Sequence, residues 1–307
     1  MIFLRNKKTL AKRLLESERR TAYILLIPAF IGLVFITYTP LAAMLGLSLF
    51  KWEGVGTPAW VGIGNYIRLF TKDPYFMDSI RATVLYAVIT VIGGMIWSLV
   101  IALLLNRKIP ARGFFRAVFY LPYVLPAMAV YLGWSWLYET NFGLLNYILN
   151  QFGIHKAMFI GSSKGVIPSL AVIAVWLSGN LIVIFLAGLQ NVPRVYHEAA
   201  EIDGANSWQR FWHVTIPCMS PIIFYNLLMS LITNMQVVTP ALALTNGGPG
   251  NSSCFISYLM YLYAFRSSKI SYACAISFVF FILIAIFTII LFATSRSWIF
   301  YEGGDDA

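Results

Sequence analysis

The chain has 307 residues and a formal net charge of +10; 59% of its residues are hydrophobic and only 11% are charged. A soluble domain is about 25% charged, so this composition excludes an ordinary water-soluble protein and indicates a surface that largely faces lipid. The basic excess forms no exposed basic domain of the kind that binds nucleic acid, so we attribute it to membrane topology.

Six long stretches of the chain carry no charged residue: 21–50, 82–106, 117–138, 165–193, 214–265 and 270–295. A helix needs roughly 20 apolar residues to cross a membrane, and five of the stretches are long enough for one helix each. The longest is interrupted at 245–253 by Thr-Asn-Gly-Gly-Pro-Gly-Asn-Ser-Ser, a loop signal. Its aromatic remainder, 254–265, is too short to span and predicts an interfacial or re-entrant segment.

The sequence therefore predicts an all-α integral membrane protein with six transmembrane helices. We place these spans near 22–50, 82–105, 115–138, 166–190, 217–243 and 271–294. The apolar stretch after the basic tail 1–20 is too long for a secretory signal peptide and has no small-residue cleavage site. We interpret it as an uncleaved first span.

The distribution of Lys and Arg predicts the orientation of the spans. With both termini in the cytoplasm, the cytoplasmic segments hold fourteen of these residues and the outer loops hold eight. Most of the difference comes from the tail 1–20 and the turn 106–116. Because cytoplasmic loops are enriched in Lys and Arg, we expect both termini in the cytoplasm.

The sequence shows no catalytic or nucleotide-binding motif. Its three histidines are far apart and form no HExxH, and neither a GxSxG elbow nor a GxxxxGK[ST] phosphate loop is present. The spans contain no acidic residue, which a proton-coupled carrier or an intramembrane protease would need. We predict no catalytic residue, no metal site and no cofactor in this chain, so the energy for any transport must come from a partner.

The segment between the fourth and fifth spans predicts two short helices that lie flat at the cytoplasmic surface. Pro193 suits the first position of a helix, and Gly204 can supply the left-handed residue that ends it. Asn206 or Ser207 can cap the second helix. The acidic side chains that this arrangement offers to a partner are Glu198, Glu201 and Asp203.

The spacing within this segment resembles the EAA motif of binding-protein-dependent ABC importer permeases. That motif reads Glu-Ala-Ala, three residues, Gly, nine residues, then Ile-x-Leu-Pro. The chain has Glu198-Ala199-Ala200, Gly204 and Val214-Thr-Ile216-Pro217, with two conservative departures at Val214 and Ile216. Further motifs resemble the sugar branch of this family, in particular the first permease of maltose-type importers: 62–66, 121–126, 143–146, 186–190 and 245–249.

The resemblance implies a type I ABC importer transmembrane domain. It would comprise a permease domain at 21–295 with its core at about 77–295, flanked by the tails 1–20 and 296–307. In this family the loop, here 191–217, holds a coupling helix that docks into a cleft of an ATPase subunit. The docking residues implied for this chain are Glu198, Ala199, Ala200, Asp203 and Gly204.

The resemblance also implies the partners. They are a second homologous permease, two ATPase subunits that bind ATP and Mg, an extracytoplasmic solute-binding protein and a carbohydrate, in a bacterial cytoplasmic membrane. We expect a heterodimer of permeases, with a homodimer as the less usual arrangement. Two alternatives are a stand-alone secondary carrier, which predicts span carboxylates or inverted repeats, and a membrane enzyme, which requires a catalytic constellation.

The fifth span predicts a polar helical face. Asn226, Ser230 and Asn234 are four residues apart and share one side, which should point into the bundle because amides are costly against lipid. The face either contacts solute or joins helices, and the resemblance favours solute because the family holds its sugar partly with this span. Ser230 and Asn234 align with substrate-contacting positions of the family. The next such position is Val237, and the adjacent Gln236 is turned about 100° away.

The fourth span adds Trp176 and Asn180, one helical turn apart. An aromatic face beside an amide is a common way to hold a sugar ring, but a packing or interfacial tryptophan is equally ordinary, so both interpretations stay open. Trp134 and Trp136 in the third span fit an aromatic belt at the membrane interface.

Overall fold

The computed structural model describes residues 20–300, and the structural statements below concern that range. The described fold is mostly helical, with one antiparallel ribbon of two short strands, β1 (Phe50–Lys51) and β2 (Ala59–Trp60). The helices are α1 Arg20–Ser48, α2 Gly64–Thr71, α3 Phe76–Asn106, α4 Arg112–Val124, α5 Ala127–Leu137, α6 Leu144–Gln151, α7 Val166–Trp176, α8 Gly179–Asn191, α9 Arg194–Ile202, α10 Ser207–Met235, α11 Ile256–Tyr261 and α12 Ile270–Ser295.

Four of these helices, α1, α3, α10 and α12, are long and apolar enough to cross a membrane. Two bent pairs, α4 with α5 and α7 with α8, bring the number of candidate spans to six, in agreement with the predicted number. None of the apolar stretch of α1 is buried inside the protein, whereas 39% of the apolar stretch of α3 is buried. Helix α3 is therefore central, and α1 lies at the periphery beside α12. Apart from Arg20, the predicted N-terminal tail lies outside the described residues, as does most of the C-terminal tail.

The third span is not the single helix predicted for 115–138. Helices α4 and α5 meet at an angle of 98°. The residue before a proline is disfavoured in helical conformation, and Leu125, which precedes Pro126, is extended with φ −70° and ψ 145°. The chain therefore turns sharply at this point.

The fourth span, predicted at 166–190, is bent by 50° between α7 and α8. The bend is held by contacts with other helices. Ser178 Oγ lies 2.9 Å from Ser98 Oγ on α3. A Cβ on Gly179 would lie 2.8 Å from the carbonyl oxygen of Phe119 on α4, so only glycine permits this close approach of the two backbones.

The fifth span differs from its predicted range of 217–243 at both ends. The predicted second short helix after Asn206 is not separate, because α10 runs without a break from Ser207 to Met235. A π-helical turn at Phe211–Thr215 precedes Pro217. Its wider hydrogen-bond spacing removes the usual conflict between a proline and the carbonyl four residues earlier. Beyond Met235 the chain leaves the helix, and a separate π-helical turn follows at Ala241–Thr245.

The segment after the glycine-rich loop folds back into the protein. Helix α11, extended by a π-helical turn at Leu262–Arg266, begins in the main core, where Phe255 and Ile256 are almost fully buried. The backbone N–H of Ile256 donates to Thr83 Oγ1 on α3 at 2.9 Å. This burial favours the re-entrant alternative over the interfacial one.

The two ends of the molecule are distinct. At the ribbon end, which contains β1 and β2, the N–H of Ser271 in the first turn of α12 donates to the carbonyl of Trp52. Helix α12 is 26 residues long, and beyond its other end the N–H of Phe300 donates to Ser220 Oγ on α10. We call this second end, which also holds α9, the docking end.

Candidate functional site

A cavity of about 530 Å³ lies between α3, the α4–α5 bend, α7, α8 and α10. Among residues 20–300, none of the side chains that line it is charged. Amides and hydroxyls line it at Thr90, Ser178, Asn180, Asn226, Ser230, Thr233 and Asn234. Tyrosines reach it from three separate elements: Tyr86 on α3, Tyr123 and Tyr131 at the α4–α5 bend, and Tyr225 on α10. The arrangement offers neutral hydrogen-bonding groups and aromatic surface.

Helix α10 presents Asn226, Ser230 and Asn234 to this cavity, as their four-residue spacing predicts. Asn234 Nδ2 donates to the carbonyl of Ser230 at 2.8 Å and to Ser230 Oγ at 3.2 Å, so the amide donor is engaged by its own helix.

Asn226 is in a different situation. Its side chain is fully buried, yet neither Oδ1 nor Nδ2 has a hydrogen-bond partner within residues 20–300. A buried polar group without a partner costs about 1–3 kcal/mol. Asn226 therefore keeps a donor and an acceptor beside the cavity that no other described residue uses.

Two of the predicted solute-contacting residues lie elsewhere. Gln236, beyond the end of α10, lines a separate groove beside α11 and α12. Trp176 and Asn180 are not one turn apart on a continuous helix, because the α7–α8 bend separates them. Asn180 lines the cavity, whereas Trp176 packs edge-on against Trp134 with ring centroids 5.8 Å apart.

The four cavity tyrosines were not predicted from the sequence. Tyrosine is common throughout these spans, and no periodicity distinguishes the four from the others. Only the packing of separate elements brings these four tyrosines together. Of the two predicted belt residues, Trp136 is 76% exposed, as an interfacial side chain should be, whereas Trp134 also packs against Tyr138.

The candidate docking segment has the first short helix, the glycine turn and the cap that its sequence predicts, whereas its second helix continues into the fifth span. Helix α9 follows Pro193, and the chain turns at Gly204 with φ +80°. Asn206 then caps α10 in a capping box: its side chain accepts from the N–H of Gln209 at 2.9 Å, and its own N–H donates to Gln209 Oε1 at 2.8 Å. The turn brings the predicted docking residues together at one end of the molecule: Glu198, Ala199, Ala200, Asp203 and Gly204.

The docking segment exposes both charge and apolar surface. Glu201 pairs with Arg210 at 3.0 Å, the one ion pair within residues 20–300, and its side chain is still 68% exposed. Glu198 is exposed and has no ion-pair partner in that range. Three apolar side chains of the segment are also exposed: Val195 (69%), Ile202 (87%) and Trp208 (68%). A segment that exposes apolar side chains together with a carboxylate has the composition found at protein interfaces.

Residues 94–300 match the family described as "Binding-protein-dependent transport system inner membrane component". The chain is 33% identical over 298 residues to the probable ABC transporter permease protein YesP of Bacillus subtilis, and the match covers 96% of each chain. It is 34% identical to the multiple sugar-binding transport system permease protein MsmF of Streptococcus mutans, covering 89% of this chain and 94% of the relative.

Among solved structures, the chain resembles a chain in the crystal structure of a bacterial ABC transporter involved in the import of the acidic polysaccharide alginate. The TM-score is 0.77 at 21% sequence identity, and the match covers 92% of this chain and 98% of that one. At this identity the likeness is one of fold, and it confirms the predicted fold class.

Proposed function

Because the chain belongs to the family of binding-protein-dependent transport system inner membrane components, we propose that it forms half of the translocation path of an importer for an uncharged carbohydrate. As an ABC transporter permease it is a multi-pass membrane transport subunit. The core permease domain extends over about 77–295. Family membership lends no support to the alternatives of a stand-alone secondary carrier or a membrane enzyme.

We infer the substrate class from the lining of the central cavity, which is uncharged and offers hydrogen-bonding groups. Sugar hydroxyls both donate and accept hydrogen bonds, which amides and tyrosine hydroxyls can match. An ionised solute would lose water there without meeting an opposite charge from the described residues that line the cavity, which is costly. The relative MsmF belongs by name to a multiple sugar-binding transport system. These points favour a neutral mono- or oligosaccharide.

Uptake by cells that lack this chain, with and without complementation, tests the substrate class. The probes are radiolabelled neutral mono- and disaccharides, with uronic acids of matched size for comparison. We expect complementation to restore uptake of at least one neutral sugar and of no uronic acid. Restored uptake of uronic acids alone, or of a solute that is not a carbohydrate, would contradict the proposal.

In this proposal, partner subunits supply the energy for transport. Two ATPase subunits bind ATP and Mg and receive the docking segment, because the chain has no phosphate-binding loop of its own and exposes Glu198 among apolar side chains. A second permease, different from this chain, completes the path, and an extracytoplasmic binding protein delivers the sugar. A homodimer is the alternative. This chain itself binds no cofactor.

The Lys and Arg count supports a docking end in the cytoplasm together with both termini. Single cysteines at Lys108 and Val55, in a chain whose own three cysteines are replaced, test this orientation. Both positions are exposed, and Val55 is 90% exposed at the ribbon end. We expect an impermeant thiol reagent to label Val55→Cys in intact cells and Lys108→Cys only after permeabilisation. The reverse pattern would invert the topology.

A further inference from the structure

A second cavity, of about 270 Å³, lies at the ribbon end between β1, α2 and the start of α12. Three cationic side chains line it, Lys51, Arg68 and Lys269, together with one carboxylate, Glu53. None of the three cations forms an ion pair within residues 20–300. The three cations outnumber the two nearby carboxylates, Glu53 and Asp73, so the described residues leave a net charge of +1 around the cavity.

The nearby carboxylate of Asp73 already has hydrogen-bond partners within the protein. It accepts hydrogen bonds from the hydroxyls of Tyr263 and Tyr272 and from two backbone N–H groups at the start of α3. The guanidinium of Arg68 lies over the ring of Tyr272, 5.1 Å from its centroid, and forms no ion pair with Asp73.

An unpartnered buried hydroxyl also points to a ligand in this cavity. Ser271 lines the cavity and is 1% exposed, and its Oγ has no hydrogen-bond partner in the described range. It lies in the first turn of α12, where the helix dipole adds partial positive charge. Cations, a helix N-terminus and a free hydroxyl donor together fit a phosphate group.

Exposed apolar side chains begin next to Val61, which lines the cavity, and continue along the side of α2 opposite Asn65. Ile63, Ile67 and Phe70 follow one another at helical spacing and are 65%, 53% and 52% exposed, and the neighbouring Trp60 is 65% exposed. The other side of α2 is anchored, because Leu69 is buried and Asn65 Nδ2 donates to the carbonyls of Ser48 and Phe50 at 2.8 Å. A short helix with one anchored side and one apolar exposed side is suited to the membrane interface.

We propose that this cavity binds the headgroup of an anionic phospholipid in the leaflet at the ribbon end. The phosphodiester would contact Lys51, Arg68 and Ser271 Oγ. Glu53 would accept a hydrogen bond from a headgroup hydroxyl, such as the glycerol of phosphatidylglycerol. The acyl chains would lie over Ile63 and Ile67 and beside α1, whose apolar stretch is unburied. An amphiphile uses both features, whereas a free anion would use the cavity alone.

Native mass spectrometry of the chain, purified with the subunits that accompany it, tests the site. The probes are dioleoyl-phosphatidylglycerol, dioleoyl-phosphatidylcholine and inorganic phosphate. We expect preferential binding of phosphatidylglycerol to the wild type. A basic residue near a membrane strengthens binding to anionic lipid roughly fivefold, so the double variant Lys51→Gln/Arg68→Gln should bind it about 25-fold more weakly.

The matched control is Lys156→Gln/Lys164→Gln, which removes two exposed cations away from the cavity. We expect it to bind phosphatidylglycerol as the wild type does. A second variant, Ile63→Gln/Ile67→Gln, removes apolar surface while leaving the cations in place, and we expect weaker lipid binding from it as well.

Three results would overturn the proposal. One is equal loss of lipid in the cavity variant and in the Lys156/Lys164 control, which would indicate non-specific attraction. Another is displacement of phosphatidylglycerol by inorganic phosphate together with normal binding by the Ile63/Ile67 variant, which would identify a small-anion site. The last is failure of the Ile63/Ile67 variant to assemble with its partner subunits, which would identify the apolar side of α2 as a subunit contact.

Discussion

We expect Glu198→Arg to abolish stimulation of ATP hydrolysis by the binding protein and to stop uptake. Docked in an ATPase cleft, Glu198 would face a cation at a desolvated contact, and its reversal would place like charges together at a cost of several kcal/mol. On a free surface the same change contributes about 0–1 kcal/mol. The measurement is ATPase activity of the purified complex with and without the sugar-loaded binding protein.

The neutral variant Glu198→Gln separates charge reversal from loss of the carboxylate. It keeps the size and much of the hydrogen-bonding capacity of the side chain, so we expect partial loss of stimulation between wild type and Glu198→Arg. The isolated binding protein should bind sugar normally in all cases. Near-normal stimulated ATPase activity in the Glu198→Arg complex would rule out the docking assignment.

A matched pair of glycines tests the docking segment independently of its charge. Gly204 and Gly56 have φ values of +80° and +79°, and a Cβ on either would meet no atom within 4 Å. Valine is therefore disfavoured equally at both positions by backbone conformation alone. We expect Gly204→Val to abolish stimulated ATPase activity, because Gly204 lies in the docking segment, and Gly56→Val at the ribbon end to preserve it. Equal loss in both variants would show that local strain, not docking, is responsible.

The second large effect is expected at Asn226. Replacement by leucine removes a fully buried amide that has no partner in the described structure, so Asn226→Leu should leave the complex as stable as the wild type or more so. Transport should nevertheless fall about fivefold or more, because lost hydrogen bonds to the sugar are worth roughly 1–3 kcal/mol. The measurements are sugar uptake and the thermal unfolding temperature of the purified complex.

Asn146 provides the control for the stability change. It is also buried, at 3% exposure, but its amide is fully engaged: Nδ2 donates to the carbonyl of Ala157 at 3.0 Å, and Oδ1 accepts from the Ala157 N–H at 2.9 Å. Asn146→Leu should therefore lower the unfolding temperature, opposite in sign to Asn226→Leu. Asn234→Leu should reduce transport less than Asn226→Leu, since the Asn234 donor already bonds to Ser230. If Asn226→Leu prevented assembly instead, the polar face would be holding helices together.

The number of spans and the docking segment could be predicted from the sequence because both depend on local properties. Hydrophobic length sets which segments can cross a membrane, and proline, glycine and capping residues determine where α9 ends and α10 begins. The four-residue spacing of Asn226, Ser230 and Asn234 likewise placed them on one side of one helix. The residues that determine each of these features lie within a few helical turns of one another in the sequence.

The shape of the cavity was decided only by tertiary structure. The bends in the third and fourth spans depend on contacts between distant segments, such as Gly179 against Phe119 and Ser178 against Ser98. The α7–α8 bend separates Trp176 from Asn180, so their spacing in the sequence no longer describes their position. The convergence of four tyrosines on the cavity arises because α3, the α4–α5 bend and α10 pack together. Hydrophobic periodicity within one helix carries no information about which side of another helix it will meet.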